Sequence, residues 1–391
     1  MTRLNKSILI NLLIFAVFMA CREPYDPEIN SEDLNVLVVE GHIETEGGSS
    51  WVSLSTTGSL DDYFNSYFPI QGAQVRILDQ NNGSYTLDEN NPGRYTGSPA
   101  LSSDQQYKLV ITTSENGTYE SDWLLPIDSS PIDDIGYKPE GGTQDLEVYV
   151  STHGTEEAQY FIWDYEETYI FRAGIPSFYK YDAVRDTVVF RSNPADRIER
   201  CWRTEYTDLI NIGSASQFAE NFIFEKKIQH IPYGSEKMTE RYSILVNQRA
   251  ISREAYTFFN IMEKNTNDMG DIFSPLPSNL SSNLHHLTDP NKRVIGMVTA
   301  GNSVSMRVFF DRSEIDFWRV DNPYYAGCEM YDDTIKISEQ RFWFQDLGAN
   351  PVLVVEGPTG GILGYRGASV RCTDCTLRGV NVAPDFWVDN L

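Results

Sequence analysis

Short segments in which apolar and polar residues alternate, separated by glycine and asparagine turns, constrain this 391-residue chain more than any other feature. Leu37, Val39 and Ile43 straddle Gly41, and the run from Trp51 to Thr56 alternates. Ala73, Val75 and Ile77 fall on one side of a segment, with Gln74 and Arg76 on the other. Tyr85 and Leu87 form another pair, and Tyr107, Leu109 and Ile111 alternate around Lys108. Turn signals separate these runs at Gly47-Gly48, Asn81-Asn82-Gly83, Asn91-Pro92-Gly93 and Glu115-Asn116-Gly117. Strand side chains point to opposite faces with period two, so each run offers one apolar face that must be covered. About seven such strands, with turns roughly every 8 to 15 residues, predict a single β-sandwich over residues 34–125.

Pro126, Pro131 and Pro139, set among Asp128, Asp133 and Asp134, read as a linker over 126–141, because each proline fixes φ and lacks a donor. A second, larger region is expected over 142–391. Strands are predicted at 146–151, 160–169, 186–191, 221–227, 241–250, 294–300 and 303–310. One helix interrupts them: Ser252 suits an N-cap, and Ala255, Phe258, Phe259 and Met262 recur at helical spacing, which lays an apolar stripe against a sheet. Gly270 closes the pattern. With 22 Tyr, 20 Phe and 7 Trp, the composition favours strands and a large core. The fold class expected is therefore mainly β, with one main α-helix.

The first residues say where the rest is expected to live. Arg3 and Lys6 give a positive start, Ile8 to Met19 form an apolar run broken only by Asn11, and small Ala20 precedes Cys21. This reads as a signal peptide over 1–20, too short for a spanning helix of about 20 apolar residues. A cysteine at the cleavage point resembles the bacterial lipoprotein signal, with Phe18 where leucine is usual. The resemblance implies lipidation of Cys21 and anchoring rather than spanning. Residues 21–33 then form a Pro-rich acidic tether. Arg22 rather than aspartate after Cys21 implies passage to the outer membrane, and Glu23, Asp26 and Glu28 resemble the surface-export signal of Bacteroidota lipoproteins. Losing Arg3 and Lys6 takes the formal charge from −25 to −27. Such a field repels phosphate backbones, so a nucleic-acid partner is excluded.

Beyond Cys21 there remain Cys201, Cys328, Cys372 and Cys375, an even set that in an exported chain suggests disulfides. The sequence favours pairing Cys372 with Cys375, its near neighbour, and Cys201 with Cys328. Half of a zinc site or a redox dithiol at Cys372-Thr-Asp-Cys375 are the alternatives. Zinc needs about four ligands, and neither a second CxxC nor a spaced histidine pair follows. A thioredoxin-type motif should open a helix. His285-His286 are adjacent in a loop and diverge too far to chelate one metal. Asp61-Asp62 and Asp133-Asp134 offer oxygen ligands but lack the D-x-[DN]-x-[DN]-G calcium loop. No G-x-S-x-G, H-E-x-x-H, P-loop or Rossmann fingerprint is present. No catalytic residue, metal or cofactor is therefore assigned. Tyr63, Phe64, Tyr67 and Phe68 occupy a long loop expected to pack over the sandwich or against the second region rather than to form an exposed binding surface, and Phe342, Trp343 and Phe344 are expected in the core.

Two resemblances extend this reading. The pattern Gly72-Ala73-Gln74-Val75-Arg76-Ile77, then Gly93-Arg94-Tyr95, then Tyr107-Lys108-Leu109-Val110-Ile111 resembles the transthyretin-like or carboxypeptidase-regulatory sandwich, which implies a structural or binding module for the first region. The run Pro275-Leu276-Pro277-Ser278-Asn279-Leu280, continuing to Asp289-Pro290 and Val294-Ile295-Gly296, resembles a Bacteroidota lipoprotein family, domain of unknown function 4249. So do Cys201-Trp202 and the ending Cys372 to Gly379 with Pro384-Asp385-Phe386-Trp387. Membership implies an accessory outer-membrane lipoprotein beside a TonB-dependent β-barrel receptor, hence a role in nutrient uptake, and it carries over no catalytic residue. A surface glycan-binding protein or hydrolase using the second region is the alternative, and a structural envelope lipoprotein a third.

Overall fold

The computed structural model describes residues 36–58, 68–114, 117–216, 220–267, 282–315 and 318–388. The first eight strands are β1 (Leu37–Glu44), β2 (Ser50–Thr56), β3 (Phe68–Pro69), β4 (Gln74–Asp79), β5 (Ser84–Asn91), β6 (Arg94–Gly97), β7 (Tyr107–Thr113) and β8 (Gly117–Ser121). β9 (Ile132–Pro139), β10 (Leu146–His153), β11 (Tyr160–Arg172), the hairpin β12 (Tyr179–Asp182) and β13 (Thr187–Phe190), β14 (Arg200–Tyr206), β15 (Asn211–Ser214), β16 (Phe222–Ile231) and β17 (Arg241–Ile251) follow. Helix α1 (Arg253–Asn267) leads to β18 (Leu284–His286), β19 (Val294–Gly301), β20 (Ser303–Asp311), β21 (Ile335–Lys336), β22 (Asn350–Glu356), β23 (Ile362–Ala368) and the single turn α2 (Val370–Thr373). The chain is mainly β, as its alternation predicts.

The first sheet has ten strands in the order β18-β8-β7-β4-β5-β6-β2-β1-β19, with β3 beside β2. β5 pairs with β4 on one side and β6 on the other, so one continuous sheet folds over on itself. Leu37, Val39, Val52 and Leu54 from one half and Val75, Ile77, Leu109 and Ile111 from the other share a single core. Two of its strands come from far along the chain. β19 pairs in parallel with β1, Leu37 opposite Val294 through Glu44 opposite Gly301, and β18 pairs with β8. Residues 284–301, expected in the second region, therefore complete the first sheet. The expected linker 126–141 also differs, since it contains β9, which pairs along β10.

The β1–β19 pair has two buried faces, and this explains the merger. Leu37, Val39, Val298 and Ala300 fill the first core, while Ile295 and Met297, on the opposite face, pack against α1 and β11 with Ile162, Phe258 and Phe259. Gly296 has φ +153°, and a Cβ there would overlap the Val39 carbonyl oxygen. Only glycine accepts that approach without strain. Helix α1 matches its predicted stripe: Ser252 Oγ accepts the Ala255 N–H at 3.1 Å as an N-cap, and Ala255, Phe258 and Phe259 are buried with Met262 beside them. Gly270 lies outside the described residues.

A second pair of sheets, β16-β10-β9 and β14-β11-β17-β20 with β15 on β11, encloses the largest core, which includes Val148, Val150, Phe161, Trp163, Tyr242, Val246 and Phe310. A small third unit, β21-β23-β22 with the β12–β13 hairpin, shares a core of Val188, Ile335, Phe344 and Tyr365. Of the predicted core trio, Phe344 is buried and Trp343 packs partly against this cluster, but Phe342 is exposed. No helix among the described residues is long and apolar enough to cross a membrane.

Candidate functional site

Where the outer face of the first sheet meets the β11–β17 sheet and α1, a cleft of about 720 Å³ opens. Strand periodicity sets its composition. On β17, Ile244, Val246 and Ala250 face the large core, which turns Asn247 and Arg249 to the cleft. On β11, Phe161 and Trp163 face that core and put Ile162 and Asp164 on the other side. Across from them lie Glu40 of β1, Trp51 of β2 and Arg94 of β6. Ile162, Phe258, Phe259, Met262, Ile295 and Met297 form an apolar wall, and Tyr206 at the end of β14, with Asp208 and Leu209 in the loop after it, forms part of the rim. A second hollow of about 470 Å³ shares Trp51, Asp164, Asn247 and Arg249 and extends to Glu44, Ser303 and Ser305.

The polar floor is a linked network. Arg249 Nη2 donates to Asp164 Oδ2 at 2.8 Å, Asn247 Nδ2 donates to Asp164 Oδ1 at 2.7 Å, and Ser305 Oγ donates to Asn247 Oδ1 at 2.7 Å. The guanidinium carbons of Arg94 and Arg249 lie 3.9 Å and 5.4 Å from the Trp51 ring centre, a cation–π arrangement that fixes both cations beside the opening. At the end of the second hollow, Glu44 accepts the Ser303 N–H at 3.0 Å and the Ser303 hydroxyl at 2.6 Å. His42, buried behind it, has Nδ1 at 2.8 Å from Thr299 Oγ1 and Nε2 at 3.4 Å from Glu44. Burial pushes the His42 ring below its ordinary value, against the pull of Glu44. Burial would raise the Glu44 carboxyl, but its contacts with His42 and Ser303 outweigh that and hold it down.

This constellation joins residues 40 to 94 with 162 to 305. Sequence reasoning missed it because the Gly41 and Trp51 segments read as half-exposed strands of a separate sandwich. The only local signal was polar Glu40, His42 and Glu44 on what an isolated sandwich would leave as its outer face.

The residues singled out from sequence are placed as follows. Cys21, the signal and tether residues, Asp61-Asp62, and Tyr63, Phe64 and Tyr67 lie outside the described residues; Phe68 opens β3. All four remaining cysteines are in disulfides, but the pairing is Cys201–Cys375 and Cys328–Cys372, with Cα separations of 5.8 Å and 5.5 Å. The expected Cys372–Cys375 and Cys201–Cys328 bonds are corrected. Cys372 sits in α2, Asp374 is extended, and Cys375 opens a separate 3₁₀ turn. Cys375 N–H is bonded to the Ile198 carbonyl, which seats it beside β14 and Cys201. The two neighbours thus serve different partners, and the bonds exclude zinc and dithiol use in this state.

His285 and His286 diverge, as adjacent strand residues must. His285 Nε2 lies 3.3 Å from Glu120, while His286 stacks edge-on to Tyr119 and accepts the Asp289 N–H. Asp133 pairs with His153 at 2.6 Å. One further group, which spacing could not reveal, brings Glu140, Asp145 and His230 together with ligand atoms within 4.8 Å of one another. Lys227 Nζ already lies 3.1 Å from both Glu140 and Glu147 there, so the cluster holds its own cation.

Comparison with known proteins bears on family. The model of a domain of unknown function, DUF4249, matches residues 22–307, and the chain belongs to that family. No curated protein matches it. Among solved structures, a DUF4785 family protein from Legionella pneumophila is 9% identical, covering 54% of this chain and 51% of its own, with a TM-score of 0.17. The chain thus spans about half the length of that protein. A putative carbohydrate binding protein from Bacteroides uniformis is 10% identical, covering 56% of this chain and 91% of its own, with a TM-score of 0.14.

Proposed function

We propose that this member of the DUF4249 family is a non-enzymatic, lipid-anchored accessory or binding protein of the outer membrane, working beside a TonB-dependent receptor in nutrient uptake. The observation that carries the binding part is the cleft, whose apolar wall and ordered polar floor are the ingredients of a small-ligand site. Its central carboxylate, Asp164, is engaged by Asn247 and Arg249 and holds a rigid surface rather than activating a nucleophile. The N-terminal segment ending at Cys21 supports the anchor. Lipid there confines the protein to two dimensions, and the tether over 21–33 raises its effective concentration at a neighbouring receptor. A glycan ligand is the second reading, favoured by Asp164, Asp208 and the exposed ring of Tyr206 at one cleft.

Affinity capture of the lipidated protein from detergent-solubilised outer membranes tests the proposal. It predicts co-recovery of a β-barrel receptor in stoichiometric amount; recovery of the bait alone counts against it.

A further inference from the structure

We propose that the cleft takes a short zwitterionic peptide with apolar side chains. This rests on the binding reading above and names the chemistry of that same site.

Arg249 carries the argument. Its side chain is 8% exposed; Nη2 is spent on Asp164, and Nε is buried with no hydrogen-bond partner. A buried cationic donor without an acceptor is costly, and the shape that satisfies a guanidinium best is a carboxylate. The Trp51 ring holds this guanidinium and that of Arg94 in place, so little side-chain freedom remains to be lost on binding.

A simple anion does not suit the whole cleft. Glu40 and Asp208 also line it, and the side-chain carboxylate of neither makes an ion pair or hydrogen bond with another described residue. With Asp164, three carboxylates face two guanidiniums, and a ligand carrying one charge of each sign is complementary to both sets. Its ammonium meets the unpartnered carboxylates and its carboxylate meets Arg249. Between those ends the wall of Phe258, Phe259, Met262 and Ile295 takes apolar side chains. A volume of about 720 Å³ lies within the range of small-molecule sites and suits a few residues of peptide.

The test is calorimetric titration of the detergent-solubilised full chain with leucyl-phenylalanyl-leucine, its N-acetyl form, its C-terminal amide and maltotriose. The free tripeptide is expected to bind, with acetylation and amidation each weakening binding about tenfold, as loss of one charge-assisted contact implies. Arg249→Gln should abolish the penalty for amidation and preserve that for acetylation. Met262→Trp, which fills the apolar wall without touching a charge, should weaken every form in a protein whose melting temperature is unchanged. Equal binding of all three peptide forms, binding of maltotriose alone, or full affinity in Met262→Trp would overturn the inference. A chain that captures a receptor but ignores the tripeptide keeps the accessory reading and loses this one.

Discussion

At the scale of single residues, His42 makes stability depend on pH. It is 1% exposed, and burial keeps its ring below the ordinary value of 6.5. The folded state therefore resists a proton that the unfolded chain accepts. Stability is complete above about pH 6.5 and falls as the pH drops below it, at a slope approaching ~1.4 kcal/mol per pH unit for one proton. Glu44 adds a second acid limb of the same sign, since its depressed value makes its contribution present above the ordinary carboxyl range and lost on deeper acidification. Melting temperatures measured by circular dichroism from pH 7.5 to 4 should show both limbs. His42→Gln, which keeps a neutral donor near Thr299, should flatten the decline between pH 6.5 and 5 and shrink the lower limb to the part that the Ser303 contacts of Glu44 sustain. An unchanged slope in that variant would show that His42 does not carry it.

Among the elements, the turn at 372–375 ties together parts of the chain 174 and 44 residues apart. Cutting with a protease that cleaves before Asp374 separates Cys372 from Cys375, so peptide mass mapping without reduction reads the connectivity directly. Cys375 should be found joined to Cys201, and Cys372 to Cys328; an intact Cys372–Cys375 loop would contradict the structure. Closing a long loop constrains the unfolded chain, and Cys375→Ser should cost about 2 to 5 kcal/mol in denaturant melts. The same elements show what the sequence made legible. Period-two alternation located β1, β2, β4, β7, β10, β11 and β17, and the Ser252 cap with its stripe located α1, because those signals are local. The partner of β1 was not legible: parallel pairing with β19 joins residues more than 250 positions apart and leaves no turn between them. Nor was the disulfide pairing, because an extended Asp374 sends neighbouring thiols to different partners. The cleft lies beside the β1–β19 pair, and sequence reading found only its separate halves.

For the whole molecule, the shared β1–β19 pair makes the two sandwiches one body with a cleft at their junction, instead of beads on a proline linker. The full chain carries a formal charge of −25, and the match to the family over residues 22–307 takes in strands of both sandwiches. The proposal places this body on a lipid at Cys21, and everything said of a receptor partner depends on that anchor. Mass spectrometry of the N-terminal peptide from the native outer-membrane fraction is the most direct test. The account predicts a peptide that begins at Cys21, ends at Glu23 after cleavage at glutamate, and carries the added mass of two or three acyl chains. An unmodified Cys21, or native protein recovered from the culture fluid or cytosol, would contradict it.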